Sequence, residues 1–406
     1  MHQLFPFLLR AVCLFIGTTG ICAGQSDDVN YSKKVLTDKF YCEGACVGDF
    51  NRDGHQDVVA GPYWYAGPDF SRTVKIHEPV AFDPHGYSEN FLTYVADFND
   101  DGWDDVLYVP WPGKDCYWYE NPGDELGTWK QHLALKAVGN ESPAWIDLNG
   151  DQRPELVYNI DGQLGYATWD PKLAGKMWQF HAISDQRSTY QRYTHGLGVG
   201  DLDGDGKLDI LESAGWWQQP ESPTKSPWVW HEYKFAEAGA QILVMDVNGD
   251  GHQDVITAWH CHLYGLVWHE QFRSPEGKIS FRMHEILSPN PDLTSETLRT
   301  SQMHALALAD INQDGLLDIV TGKRFWAHGP TGDVEPDAPA VVYWYELQRD
   351  PQGSVRFVPH QIDDDSGVGT QVTAADLNGD HRPDIIVSNK KGTFLFLSSV
   401  DSTQKN

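Results

Sequence analysis

Short apolar runs rich in β-branched side chains recur along the chain, paired around clusters of Asp, Asn and Gly. "QILVM" ends at Met245 and "DVITAW" begins at Asp254, with "DVNGDGHQ" between them. Runs of this length bounded by turn residues predict strands, and two of them around one polar turn predict a hairpin. The arrangement occurs seven times, with first carboxylates at Asp49, Asp97, Asp147, Asp201, Asp246, Asp310 and Asp376, spaced 45 to 66 residues apart. "YWYEN" from Tyr117, "LVWHEQ" from Leu266 and "VYWYEL" from Val342 predict a third strand. A fourth carries a histidine at one recurring place: His77, His132, His181, His231, His284 and His360.

Self-similarity at this period, with four strands per repeat, predicts an all-β seven-bladed β-propeller formed by residues 25–406 as one domain. The seventh repeat passes through "DIIVSN" and "GTFLFLSS" with no fourth strand after it. A strand near residues 32–41, within "KKVLTDKFY", is expected to supply it and so remove the exposed edge of an open array. The acidic turns resemble the FG-GAP or VCBS repeats of integrin-alpha-like propellers, over nearly the whole chain after residue 24. Such propellers serve as adhesion modules, scaffolds and enzymes alike, so the resemblance implies a fold more than an activity.

The chain has 406 residues, 40% of them hydrophobic and 12% aromatic, enough for a sizeable core. A formal net charge of −28 opposes nucleic acid and anionic bilayers as partners and favours cations. Residues 1–24, with Arg10 followed by "AVCLFIGTTGICAG", read as a cleavable signal whose apolar stretch is too short for a membrane span. The expected location is secreted or periplasmic, without membrane insertion after cleavage. Cys42, Cys46, Cys116 and Cys261 remain, and an oxidising compartment would permit them to pair.

Counted from each first Asp, positions 1, 3, 5 and 9 carry oxygen side chains, and position 6 is Gly in five repeats. The sets are Asp49, Asn51, Asp53 and Asp57; Asp97, Asn99, Asp101 and Asp105; Asp147, Asn149, Asp151 and Glu155; and Asp201, Asp203, Asp205 and Asp209. The remaining three are Asp246, Asn248, Asp250 and Asp254; Asp310, Asn312, Asp314 and Asp318; and Asp376, Asn378, Asp380 and Asp384. Hard oxygens turned inward by a tight loop select Ca²⁺, which the repeat resemblance also implies. Gln152 and His381 replace the glycine in the third and seventh loops, whose occupancy stays open.

In an up-and-down blade the turn joining strands one and two lies at the opposite end from the segments before strand one and after strand two. Six residues before each first Asp stand Glu43, Phe91, Glu141, His195, Ala240, His304 and Thr370. Fourteen after it stand Tyr63, Trp111, Asp161, Gly215, His260, Arg324 and Lys390. These two rings are expected to surround the axis away from the acidic loops. In "WHCHL", His260 and His262 share one side of a continuing strand, about 7 Å apart. With His195 or His304 from neighbouring blades, His304 foremost, they are candidate ligands of Zn²⁺ or Mn²⁺ with an open coordination position.

Trp111, Trp216, Trp217, Trp326 and Tyr63 offer flat surfaces for sugar rings, and Lys390, Arg192 and Arg324 offer cationic donors. Glu141, His85 and His328 join them as candidate substrate contacts. β-Elimination from a keto sugar or uronate needs an electrophile, a base and an acid. The candidates are the metal with His304, or Arg324, as electrophile, His195 as base, and Tyr63 or Tyr193 as acid. "HCHLYGLVWHE" and "QMHALALADINQDGLLDIVTGKRFWAHG" resemble the propeller part of aldos-2-ulose dehydratases, and the architecture is similar to propeller polysaccharide lyases. The expected function is therefore a secreted carbohydrate lyase or dehydratase. The alternative is a non-catalytic propeller that binds glycans or proteins.

Overall fold

In the first repeat Ala45–Gly48 pairs antiparallel with Asp57–Ala60, then Tyr63–Ala66, then Arg72–Lys75. The computed structural model describes residues 29–400 except 125, 126, 296, 297 and 351; the signal assigned to residues 1–24 lies outside them. Across the described residues the strands sort into seven such four-stranded units of a β-propeller. Lys130–Ile146 serves two units, pairing through its first half with Lys114–Glu120 and through its second half with Glu155–Ile160. The innermost strands sit side by side about an axis, and those of the fourth and fifth units pair in parallel at Leu197–Gly198 and Gln241–Ile242.

The last unit takes its outer strand from the other end of the chain. Val29–Thr37 runs antiparallel to Gly392–Val400, with Val29 opposite Val400 and Thr37 opposite Thr393. The strand lies three to four residues ahead of the expected 32–41. Its partner begins at Gly392, so nothing remains for residues beyond Thr37 to pair with.

One device braces each unit internally and a second ties a unit to its neighbour. Third-strand tryptophans stack on the recurring fourth-strand histidines: Trp118 on His132, Trp216 on His231, Trp268 on His284 and Trp344 on His360, with ring centroids 4.1 to 4.4 Å apart. Amides at the end of third strands clasp the preceding unit: Asn121 donates to the Phe50 carbonyl, Gln219 to Leu148 and Gln271 to Leu202. The four cysteines named above are all free thiols.

Candidate functional site

The acidic turns are held largely by their own backbone. The position-1 carboxylate accepts N–H groups from positions 5 and 6, as Asp49 does from Asp53 and Gly54 and Asp201 from Asp205 and Gly206. Position 9 is buried throughout and has a second employment that its spacing does not reveal. Asp57 accepts from Phe50 and Gly67, Asp105 from Phe98 and Asn121, and Asp209 from Leu202 and Gln219. It thereby staples the turn to the end of the third strand. Burial pushes these carboxyls up, Asp57 to about 6, Asp105 to about 8 and Asp209 to about 7, against the lowering effect of the N–H groups.

Six of the seven loops have Asn at position 3, and in four of them its amide donates to the position-5 carboxylate. The fourth loop has Asp203 there instead. Oxygens of Asp201, Asp203 and Asp209 lie within 4.8 Å of one another, a donor set that fits a hard divalent cation such as Ca²⁺.

At the other end of the axis, loops from different units meet. His195 precedes Leu197–Gly200, Cys261 and His262 follow Asp254–Ala258, and His304 precedes Leu306–Ala309. One ligand atom from each of these four residues falls within 4.8 Å of the others. His195 Nε2 and His262 Nε2 are 2.8 Å apart, and the three imidazole centroids are separated by 4.7 to 5.5 Å. Cys261 and His304 are fully buried.

Behind the cluster runs a chain of charges. Glu141 Oε2 lies 3.2 Å from His304 Nε2 and 3.5 Å from His195 Nε2. The same oxygen is 3.3 Å from Arg324 Nη1, while Arg324 Nη2 meets Glu43 Oε2 at 2.5 Å. Burial alone would raise the Cys261 thiol, but the adjacent His304 and His195 outweigh it and bring it well below the usual thiol range. Burial lowers His262 to about 4, whereas Cys261 and Glu141 overcome it at His195 and raise that group to about 10. His304 Nδ1 and His262 Nδ1 are buried with no hydrogen-bond partner.

Buried nitrogens left in that state are costly unless something takes their lone pairs. Three imidazoles and a thiol therefore fit a borderline divalent cation. The sulfur ligand favours Zn²⁺ over the oxygen-seeking Mn²⁺.

This ligand group differs from the expected one. The strand ends at Ala258, and Leu263 N–H bonds back to the His260 carbonyl in a turn, so the alternation that paired His260 with His262 is lost. His260 Nδ1 accepts the His262 N–H and stays outside the cluster, while Cys261 enters it and His195 and His304 both belong to it. Arg324 is buried between Glu43 and Glu141, where it positions carboxylates. Trp216 and Trp217 belong to the core of their blade, Trp217 donating to the Tyr190 hydroxyl.

Trp111 packs on Tyr87 and donates to the Tyr193 hydroxyl, with Arg192 over the Tyr193 ring. Lys390 is buried over Tyr87. His328 lies against His262 with its ring tilted and pairs with Asp333, and His85 approaches Trp326. Tyr63 packs among Tyr41 and Tyr65 in the first unit.

Beside His195 opens a cavity of about 600 Å³ that spacing did not reveal, lined in part by Glu212, Tyr190, Arg187 and Trp230. Burial raises the Glu212 carboxyl to about 7, with Tyr190 and Arg187 pulling the other way. Arg187 lies against the rings of Trp217 and Trp230.

The fold is that of a β-propeller, and two stretches of the chain match FG-GAP repeat families. The FG-GAP-like repeat family matches residues 97–158 and the FG-GAP repeat family matches residues 368–399. The T-cell immunomodulatory protein homolog of Plasmodium falciparum (isolate 3D7) is 26% identical over 145 residues, which are 31% of this chain and 19% of that protein. Among solved structures, BBS1N in complex with ARL6DN is similar in fold, with a TM-score of 0.52 and 10% identity over 92% of this chain and 97% of that one. A lectin of Agrocybe aegerita that recognises non-reducing terminal N-acetylglucosamine gives 0.45 and 16%, over 79% and 80%. No helix among the described residues is long and apolar enough to cross a membrane.

Proposed function

We propose that the axial end is the active site of a zinc-dependent carbohydrate lyase or dehydratase that eliminates across a C–O bond of a keto sugar or uronate. The observation that carries this reading is the convergence of His195, Cys261, His262 and His304 with unpartnered buried nitrogens. A module that only binds glycans has little use for such a group. A bound Zn²⁺ would supply Lewis-acid polarisation of the substrate carbonyl.

Because His195 belongs to the ligand group, proton transfer passes to another residue on the cavity beside it. Glu212 has the near-neutral carboxyl that general acid–base work requires. As a carboxylate it accepts the proton α to the carbonyl. The β C–O bond then breaks with its electron pair on the leaving oxygen, which takes the proton back from Glu212, leaving an unsaturated sugar and water or an alcohol. Arg187 offers a cation to a uronate carboxylate. Glu141, locked by Arg324, orients His195 and His304. Export of the chain, and Ca²⁺ in the acidic loops with the fourth foremost, form part of the same proposal.

The test combines metal analysis with ultraviolet absorbance during incubation with keto sugars and uronate polymers, since elimination creates a conjugated chromophore. The expected result is stoichiometric zinc and a rising absorbance, both abolished by His304→Ala in a protein that still melts cooperatively. A metal-free protein with no absorbance change on any of these sugars would make it a binding propeller instead.

A further inference from the structure

A second cavity, of about 620 Å³, lies between the first and second units at the same end of the axis as the histidine cluster. Its walls come from the turn at Gly61 and Pro62, from the connection over residues 77–90 and from the turn at 110–115. They are aromatic: Tyr41, Tyr108, Tyr117, Tyr119 and His77, with His77 stacked on Tyr119 at 5.1 Å and Tyr108 5.3 Å from Tyr119. The rim carries the carboxylates of Glu78, Glu89 and Asp115 and the ammonium of Lys114, with Glu78 paired to Lys75.

Asn90 borders this cavity and is only 6% exposed. Its Oδ1 accepts from the Thr93 hydroxyl at 3.2 Å and its carbonyl accepts from Glu43 N–H at 2.8 Å, but its Nδ2 has no partner. A buried amide donor left unmade destabilises the fold unless a ligand supplies the acceptor.

The lining restricts what that ligand is. Three rim carboxylates outnumber the single rim lysine and oppose an anion. A cation would suit the rim but would leave Asn90 Nδ2 unanswered. A neutral sugar residue meets every demand: C–H faces for the rings, an oxygen for Asn90 and hydroxyl donors for the carboxylates. We infer that the cleft between the first two units is a binding subsite for a neutral sugar residue, separate from the axial cluster. The inference rests on the carbohydrate reading above and extends it.

Gly113 lines the cleft while Trp111, two residues earlier in the same turn, packs on Tyr87 beneath Lys390, so one short turn divides cleft from axis. A ligand engaging both sites is therefore an oligosaccharide, with the cleft holding it by a unit that does not react.

Calorimetric titration of the intact protein with cellotriose, chitotriose, mannotriose and tetramethylammonium tests the inference. At least one trisaccharide should bind saturably. Its Kd should rise tenfold or more in Tyr119→Ala and in half-buried Tyr117→Ala, and stay unchanged in His304→Ala. Zinc content and turnover of a small keto sugar should be the same in both tyrosine variants as in the parent. Should Tyr119→Ala fail to fold, Tyr117→Ala alone decides. The inference is overturned if no trisaccharide binds, if binding is lost with His304→Ala but not with the tyrosine variants, or if tetramethylammonium binds more tightly than any sugar. Cleft binding without turnover would reject the lyase reading and leave this one standing.

Discussion

Position 6 of the acidic turn takes a left-handed backbone in glycine and non-glycine loops alike: φ is +85° at Gly54 and +86° at Gly206, but also +70° at Gln152 and +66° at His381. Where position 6 gives up its glycine, position 4 has one, Gly150 and Gly379, itself left-handed. Each of those loops thus keeps one residue free of the steric penalty that a Cβ brings there.

At Glu212 the decisive quantity is a proton. Its folded carboxyl titrates near 7, above the ordinary 4.5, because burial disfavours the charge. The folded state therefore retains a proton that the unfolded chain releases, so the stability it contributes is present at low pH and is lost as pH rises from about 4.5 to about 7. Activity should run the opposite way, since the carboxylate is the base: kcat/KM rises with pH to a plateau above about 7. Glu212→Gln should lower kcat by about 10² to 10⁴ and flatten the acid limb of both profiles. A variant whose rate profile keeps that limb would remove Glu212 from the proton transfer.

The hairpin turn is the element on which the molecule is built, and it does two jobs with one motif. Its outer carboxylates are the proposed ion ligands, while the position-9 carboxylate ties the turn to the third strand. Calcium should therefore stabilise the fold, by about 2.7 kcal/mol per filled site at a hundredfold excess over Kd. Chelation should lower the melting temperature. Asp201→Ala should remove the fourth loop's share of that shift and leave axial zinc unchanged. A melting temperature indifferent to chelator would exclude the loops as ion sites.

Strands and turns were readable because β-branched runs and turn residues act locally, and one fixed offset from each turn brought Glu43, Glu141, His195 and His304 together correctly. Side-chain direction after the strands was not readable. His260 was paired with His262 by an alternation that the chain abandons at Ala258, and Cys261 came in through the turn that replaced it. Trp216 and Trp217 were placed on a surface because the offset gives a height along the axis but not a distance from it. Glu212 and Asn90 carry no motif at all. Their meaning arises only from burial, which many distant residues decide jointly.

Over the whole molecule, the axial group draws on five units: Glu43 from the first, Glu141 from the third, His195 from the fourth, Cys261 and His262 from the fifth, and His304 with Arg324 from the sixth. Such a site exists only while the ring is closed. Deleting residues 29–37 should expose the Gly392–Val400 edge, causing self-association on size-exclusion chromatography together with loss of zinc. A monomeric truncated protein that keeps its zinc would show that closure is dispensable.

The closing strand also has a history in time. A ribosome adding about 5 to 20 residues per second makes Val29–Thr37 roughly 20 to 70 seconds before the strand it must join. Through that interval it is an unclaimed β-edge among other unfinished chains, the circumstance in which strands find wrong partners. Lys33 and Lys34 stand at its middle, charges that a stranger's edge would have to bury. In the finished protein Lys33 lies over the Phe394 ring and bonds Asp363, so the residue that discourages a wrong match beforehand becomes part of the right one.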